Sequence, residues 1–151
     1  IFLCSRLLDN PRYALFNEIN LALFKASIDA RILYRNQALF LFSGEYISES
    51  SNIEAFIDHG LSHEPNESGL QGQKKAISAF DRLALLDQLE GNVACAAIYG
   101  REDLIAVPDT ADFIQQYIPS IDVRILEACG HMPQLEKPQQ LANILRELSV
   151  R

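Results

Sequence analysis

"VACAAIYGREDLIAVPDTADFIQQYIPSIDVRILEACGHMPQLEKP", residues 93–138, is the stretch that decides the fold. It opens on a continuous apolar run, "VACAAIY" (93–99), bounded by Gly91 and Asn92 on one side and Gly100 on the other. A run of that length without polar alternation has the character of a strand covered on both faces, as central strands of parallel sheets are. Pro108 then starts a segment, 108–118, in which Phe113, Ile114, Tyr117 and Ile118 fall on one helical stripe. "VRILEAC" (123–129) reads as a second strand. "KPQQLANILREL" (137–148) reads as a second helix, with Leu141, Ile144, Leu145 and Leu148 at helical spacing. Strand, helix, strand, helix predicts a parallel βαβ arrangement. In such sheets the loops leaving the carboxyl ends of the strands gather on one edge, where ligands bind. Asp103 and His131 lie on two consecutive loops of that kind.

Working outward toward the N-terminus, the character changes. Asn10 and Pro11 make a helix start, Phe16, Ile19, Leu23 and Phe24 recur at near-helical spacing, and "IEAFIDHG" ends at Gly60 as a helix would. Residues 10–72 therefore read as several helices and no strand. Within them "SHEPNESGLQG" (62–72), polar and carrying Pro65, Gly69 and Gly72, is predicted as a loop, and 74–91 as a helix leading back to the sheet. "IFLC" at the start has strand character. The predicted class is α/β, with residues 1–9 and 73–151 forming the sheet-bearing part. Residues 10–72 are a helical insertion between the strand at 1–5 and the strand at 93–99.

At 151 residues and 48% hydrophobic content the chain can bury a real core. A net charge of −7 excludes general attraction to nucleic acid phosphates or anionic membranes, which leaves a small molecule or another protein as the expected partner. No stretch approaches the roughly 18 uninterrupted apolar residues of a membrane span, and "IFLCSRLLDNP" lacks the basic start and cleavage site of a signal peptide, so a cytoplasmic location is expected. Cys4, Cys95 and Cys129 are odd in number and set in apolar runs. They indicate neither a disulfide framework nor a metal site, and all three are expected to be buried small hydrophobes.

An aspartate that orients a histidine, with the histidine acting as general base, is two-thirds of a nucleophilic triad, which makes Asp103 and His131 the candidate catalytic residues. Spacing alone leaves the plain alternative open, in which Asp103 caps a turn and His131 is one of three ordinary histidines. Glu102 and Glu136 read as solvated or helix-start charges, and His59 and His63 as charges near a helix end. Phe16, Phe24, Phe40 and Phe56 could face a substrate or their own packing, and packing is the more frequent fate. No phosphate loop, dinucleotide fingerprint or H-E-x-x-H pair occurs, so no cofactor or metal is expected.

"AIYGREDLIAVP" followed by "IPSIDVRILEACGHMPQLEKP" resembles the C-terminal region of the α/β-hydrolase superfamily. The likeness is to bacterial enzymes with a helical cap: enol-lactonases, aminoacrylate hydrolases and meta-cleavage product hydrolases. "IFLCS" is similar to the strand before the cap and "NQALFLFSGEYI" to cap segments, so the likeness runs the length of the chain and is closest in the C-terminal part. It implies that Asp103 is the triad acid, His131 the base and residues 10–72 the cap, and that the substrate is a small ester, lactone or carbon–carbon bond. Some members carry the acid after the strand that precedes the cap, where Asp9 falls; Asp103 has the better sequence context. The superfamily's nucleophile sits in a G-x-S-x-G elbow, and no serine here has glycine at both flanking positions. Cys4 and Ser5, at the end of "IFLCS", lack those glycines too. The resemblance therefore implies a serine outside this chain, with the remaining half of a hydrolase, or another copy of the chain, as the partner covering the apolar edge at "IFLCS". The rival expectation is a non-catalytic binding or interaction module that keeps the superfamily's shape without its nucleophile.

Overall fold

The computed structural model describes residues 1–63, 67–81, 84, 86, 89 and 94–150. Three strands, β1 (Phe2–Leu3), β2 (Ala96–Gly100) and β3 (Asp122–Leu126), form one parallel sheet in the order β1-β2-β3. Phe2 pairs with Ala97, and Ala96 through Gly100 pair in sequence with Asp122 through Leu126. All five residues of β2 are buried. Ala97 and Tyr99 point into a core with Leu7, Leu86, Ala106 and Ile114, while Ile98 joins Leu126, Cys129 and Leu141 on the other face. A central strand with two covered faces has no solvent side to mark with polar residues, which is why its sequence lacks alternation.

Between β1 and β2 run α1 (Pro11–Lys25), α2 (Ala30–Leu41), α3 (Gly44–Ser48), α4 (Ser50–Leu61) and α5 (Glu67–Ala79). Capping explains three of the starts: Asn10, Asp29 and Ser43 accept hydrogen bonds from Arg12, Arg31 and Tyr46 backbone N–H groups. After β2 come α6 (Asp109–Tyr117), then β3, a short α7 (Pro133–Glu136) and α8 (Pro138–Ser149). Ile114 and Ile118 of the predicted stripe are buried, and Phe113 and Tyr117 pack beside them.

Several expectations need correcting. Residues 67–72 belong to α5 rather than to a loop, because the polar stretch carries no proline past Pro65 and its two glycines are tolerated on an exposed helix. The boundary expected between residues 72 and 73 thus falls inside a helix. The helix expected over 74–91 ends at Ala79, with Phe80 and Asp81 outside any helix; Ala84, Leu86 and Leu89 are again helical, and the remaining positions of that segment, like Val93, lie outside the described residues. Leu145 is 38% exposed, off the face on which Leu141, Ile144 and Leu148 pack. Cys4 and Cys129 are buried as expected, but Cys95 is only half-buried because it precedes β2 rather than lying within it. Among the described residues no helix is long and apolar enough to cross a membrane.

Candidate active site

β2 ends at Gly100 for a steric reason. A Cβ there would sit 2.1 Å from the Gly130 carbonyl oxygen and 2.3 Å from that of Cys129, so only glycine lets the loop after β2 touch the loop after β3. Those two loops carry Asp103 and His131. The Asp103 side chain is fully buried, and each of its oxygens is satisfied. Oδ1 accepts from the Ile105 and Ala106 backbone N–H groups, both at 2.8 Å, and Oδ2 lies 2.9 Å from Nδ1 of His131. A buried carboxylate is tolerated when donors surround it in this way. Because the carboxylate accepts, Nδ1 carries the proton, and the lone pair of the neutral ring is left on Nε2. The imidazole is 23% exposed and lines a cavity of about 740 Å3, whose wall is mostly apolar.

Neighbouring residues fix this pair from two sides. Asn10, at the start of α1, donates through Nδ2 to the Leu104 and Ile105 carbonyls at 2.8 and 3.0 Å and so clamps the loop that holds Asp103. Glu136 clamps the other loop. Its carboxylate accepts from Gly130 at 2.9 Å and Met132 at 3.2 Å, the residues on either side of His131, and from Ser43 at 2.8 Å. The His131 N–H itself donates to the Leu41 carbonyl at 2.7 Å, at the end of α2. Gly130 is a glycine because a Cβ would come within 3.0 Å of the Leu41–Ser43 backbone. Glu102 accepts from the Gly44 N–H at 2.8 Å. Glu102 is exposed, as expected, and meets the start of α3, whereas Glu136 is half-buried and is no plain solvated or helix-start charge, since it hydrogen-bonds backbone on both sides of His131 and at Ser43. The signal for Glu136 was the spacing, since five residues and a proline-started turn bring its side chain back under His131.

The other candidates separate cleanly. The Asp9 side chain is 91% exposed and pairs with Arg6 at 3.9 Å, so it is Asp103 that meets the histidine. His59 and His63 sit together at the exposed end of α4. Phe40 packs on Phe16, and Phe56 lies edge-on to Phe42; Phe16 also lines the cavity. Cys4 is buried in a left-handed backbone conformation (φ 43°). Its burial, and the Asp103 carboxylate beside it, push the thiol well above the usual range, so it is held protonated rather than as a nucleophilic thiolate. Cys4, Asp103 and His131 offer a thiol, a carboxylate and an imidazole within 4.8 Å of one another, and a soft cation could use that set only if the Cys4 thiol gave up its proton. Burial likewise pushes the Cys129 thiol up to about 12.

No family model matches the chain. A pimeloyl-[acyl-carrier protein] methyl ester esterase of Nitrosomonas europaea is 33% identical over 79 residues, 52% of this chain and 31% of that protein. Among solved structures, BpoC of Mycobacterium tuberculosis H37Rv, assigned as a non-heme bromoperoxidase, superposes with a TM-score of 0.78 at 16% identity, covering 99% of this chain and 57% of its own. MGS-M2, an α/β-hydrolase enzyme from a Medee basin deep-sea metagenome, gives 0.73 at 12% identity, covering 99% and 55%. The chain is thus similar in fold to α/β-hydrolases and, over 79 residues, similar in sequence to an esterase. It spans about a third of the curated relative and somewhat more than half of the two α/β-hydrolase-like structures. Its parallel sheet and flanking helices are a part of the α/β-hydrolase fold, and Asp103 and His131 follow successive strands of it.

Proposed function

We propose that the complete enzyme is an esterase working through a Ser-His-Asp triad, with His131 as base, Asp103 as its orienting acid and the serine supplied by sequence outside these 151 residues. The observation that carries this reading is the 2.9 Å contact between a fully buried Asp103 carboxylate and a His131 ring lining an apolar cavity. In the first step Nε2 takes the serine proton as Oγ attacks the ester carbonyl, and it returns that proton to the departing alcohol. In the second step Nε2 takes a proton from the water that attacks the acyl-serine carbonyl and returns it to the departing serine Oγ, which releases the acid and restores the free serine. Asp103 holds the Nδ1–H tautomer and stabilises the imidazolium that forms in each half. Helices α1 to α4 would act as the cap over the pocket, and the substrate is a small, partly apolar ester, lactone or carbon–carbon bond. The curated relative's methyl ester chemistry makes methyl esters the first class to try.

The test is ester hydrolysis by the full-length protein. His131→Ala is expected to lower kcat by a factor on the order of 10,000 or more, and the 151-residue chain alone is expected to stay at background. Near-normal turnover by His131→Ala would contradict the reading. Turnover by the isolated chain that is lost in Cys4→Ala would pass the nucleophile's role to Cys4.

A further inference from the structure

We propose that His59 and His63 form a binding site for a divalent transition-metal ion at the C-terminal end of α4. The two histidines stand four residues apart, the spacing that brings two imidazoles to one helical face. The chain keeps turning past α4, with the Ser62 N–H donating to the Asp58 carbonyl and the His63 N–H to the Gly60 carbonyl, both at 3.1 Å. That turn brings His63 back beside His59. The ring centres are 4.7 Å apart and the planes are tilted by 52°. With metal–nitrogen bonds of about 2.0–2.1 Å, two imidazoles on one ion, at bond angles from right to tetrahedral, have ring centres about 4.5–5.2 Å apart. The observed separation already lies in that window.

The hydrogen bonds of His63 point the same way. Its Nδ1 lies 2.9 Å from the His59 carbonyl oxygen and 2.9 Å from Oγ of Ser62, whose hydroxyl donates to that same carbonyl at 2.6 Å. A carbonyl oxygen only accepts, so Nδ1 carries the proton, and in the neutral ring the lone pair is on Nε2. A backbone carbonyl on one ring nitrogen, with the other nitrogen left for an ion, is the usual environment of a metal-binding histidine. Both residues are exposed, so an ion reaches them without crossing the core and keeps water as its remaining ligands. Gly60 stands where H-E-x-x-H has its glutamate, so the pair holds an ion and supplies no general base. Imidazole ligands suit Zn2+, Ni2+ and Cu2+, whereas Mg2+ and Ca2+ prefer oxygen.

The experiment is calorimetric titration of the full-length protein with NiCl2, alone and in excess MgCl2, repeated on His59→Ala and His63→Ala. Both side chains are exposed, so neither substitution disturbs the core. Each variant keeps one imidazole, and loss of the chelate is expected to weaken nickel binding at this site about a hundredfold. Magnesium is expected not to compete. Proton NMR then locates the ion. Substoichiometric Ni2+, being paramagnetic, should broaden the ring C–H resonances of His59 and His63 together, and before those of His131. No nickel uptake, equal affinity in the wild type and both variants, displacement by Mg2+, or broadening of one ring of the pair without the other would overturn the proposal.

Discussion

The loops that hold Asp103 and His131 and the helical segment beside them are stabilised by different forces. In the loops, buried backbone and side-chain groups satisfy one another at close range, around a strand whose five residues are all buried. In the helical segment α1 and α4 bury one residue each, Phe16 and Ile57, and α2 buries Leu33 and Ala38. Much of what joins α2 to α4 is exposed charge: Arg31 pairs with Glu54 and Asp58, and Arg35 with Glu54. Buried polar contacts are costly to break and insensitive to salt, whereas exposed pairs are weak and screened. The difference teaches that the Asp103–His131 geometry rests on buried contacts while the helical segment leans more on exposed pairs, with the two tied at Leu41–Gly44 by His131, Glu136 and Glu102.

The sharpest way to break that comparison is to alter the buried side. Asp103→Asn keeps the shape of the side chain but favours the wrong histidine tautomer, and it is expected to lower kcat by a factor on the order of 10,000 in the full-length enzyme, measured by ester hydrolysis. Gly100→Ala forces a Cβ against two carbonyl oxygens and is expected to cost about 3 kcal/mol, read by denaturant unfolding. Glu136→Gln is next. An amide cannot accept with both ends, so one of the Ser43, Gly130 and Met132 N–H groups loses its acceptor, at a cost of about 2 kcal/mol in the same assay. A loss no larger than for an exposed glutamate would remove Glu136 from the tie between the halves.

Alkaline pH tests the burial of the core. Cys129 titrates at about 12 when folded against 9.0 for the free thiol, so above pH 9 the unfolded chain releases a proton that the folded chain keeps. The stability this thiol contributes is fully present below pH 9 and is lost as pH rises toward 12. Cys129→Ala should flatten part of that decline. The smallest effect belongs to the helical segment. Arg31→Ala should lower Tm by about 2 °C at low salt, and by less near 1 M salt, where the Debye length is about 3 Å.

The same division governs what the sequence revealed. β2 was legible because a two-faced strand leaves an unbroken apolar run, β3 because Val123, Ile125 and Leu126 give it strand character, and Asp103 and His131 because each follows one of these strands closely. The start of α5 was not legible, since polar residues with glycine read equally well as loop or as exposed helix and only tertiary context decides. Glu136 and Asn10 were misread or read in part, because their partners are backbone groups distant in sequence, which no local pattern records.

The most direct measurement is the proton NMR spectrum of the imidazole N–H region of the full-length protein. With His131 Nδ1–H held against a buried carboxylate at 2.9 Å, a strongly low-field resonance is predicted that survives Glu102→Gln and vanishes in Asp103→Asn. A spectrum without that resonance, or one in which Asp103→Asn leaves it in place, would contradict the pairing on which the proposed chemistry depends.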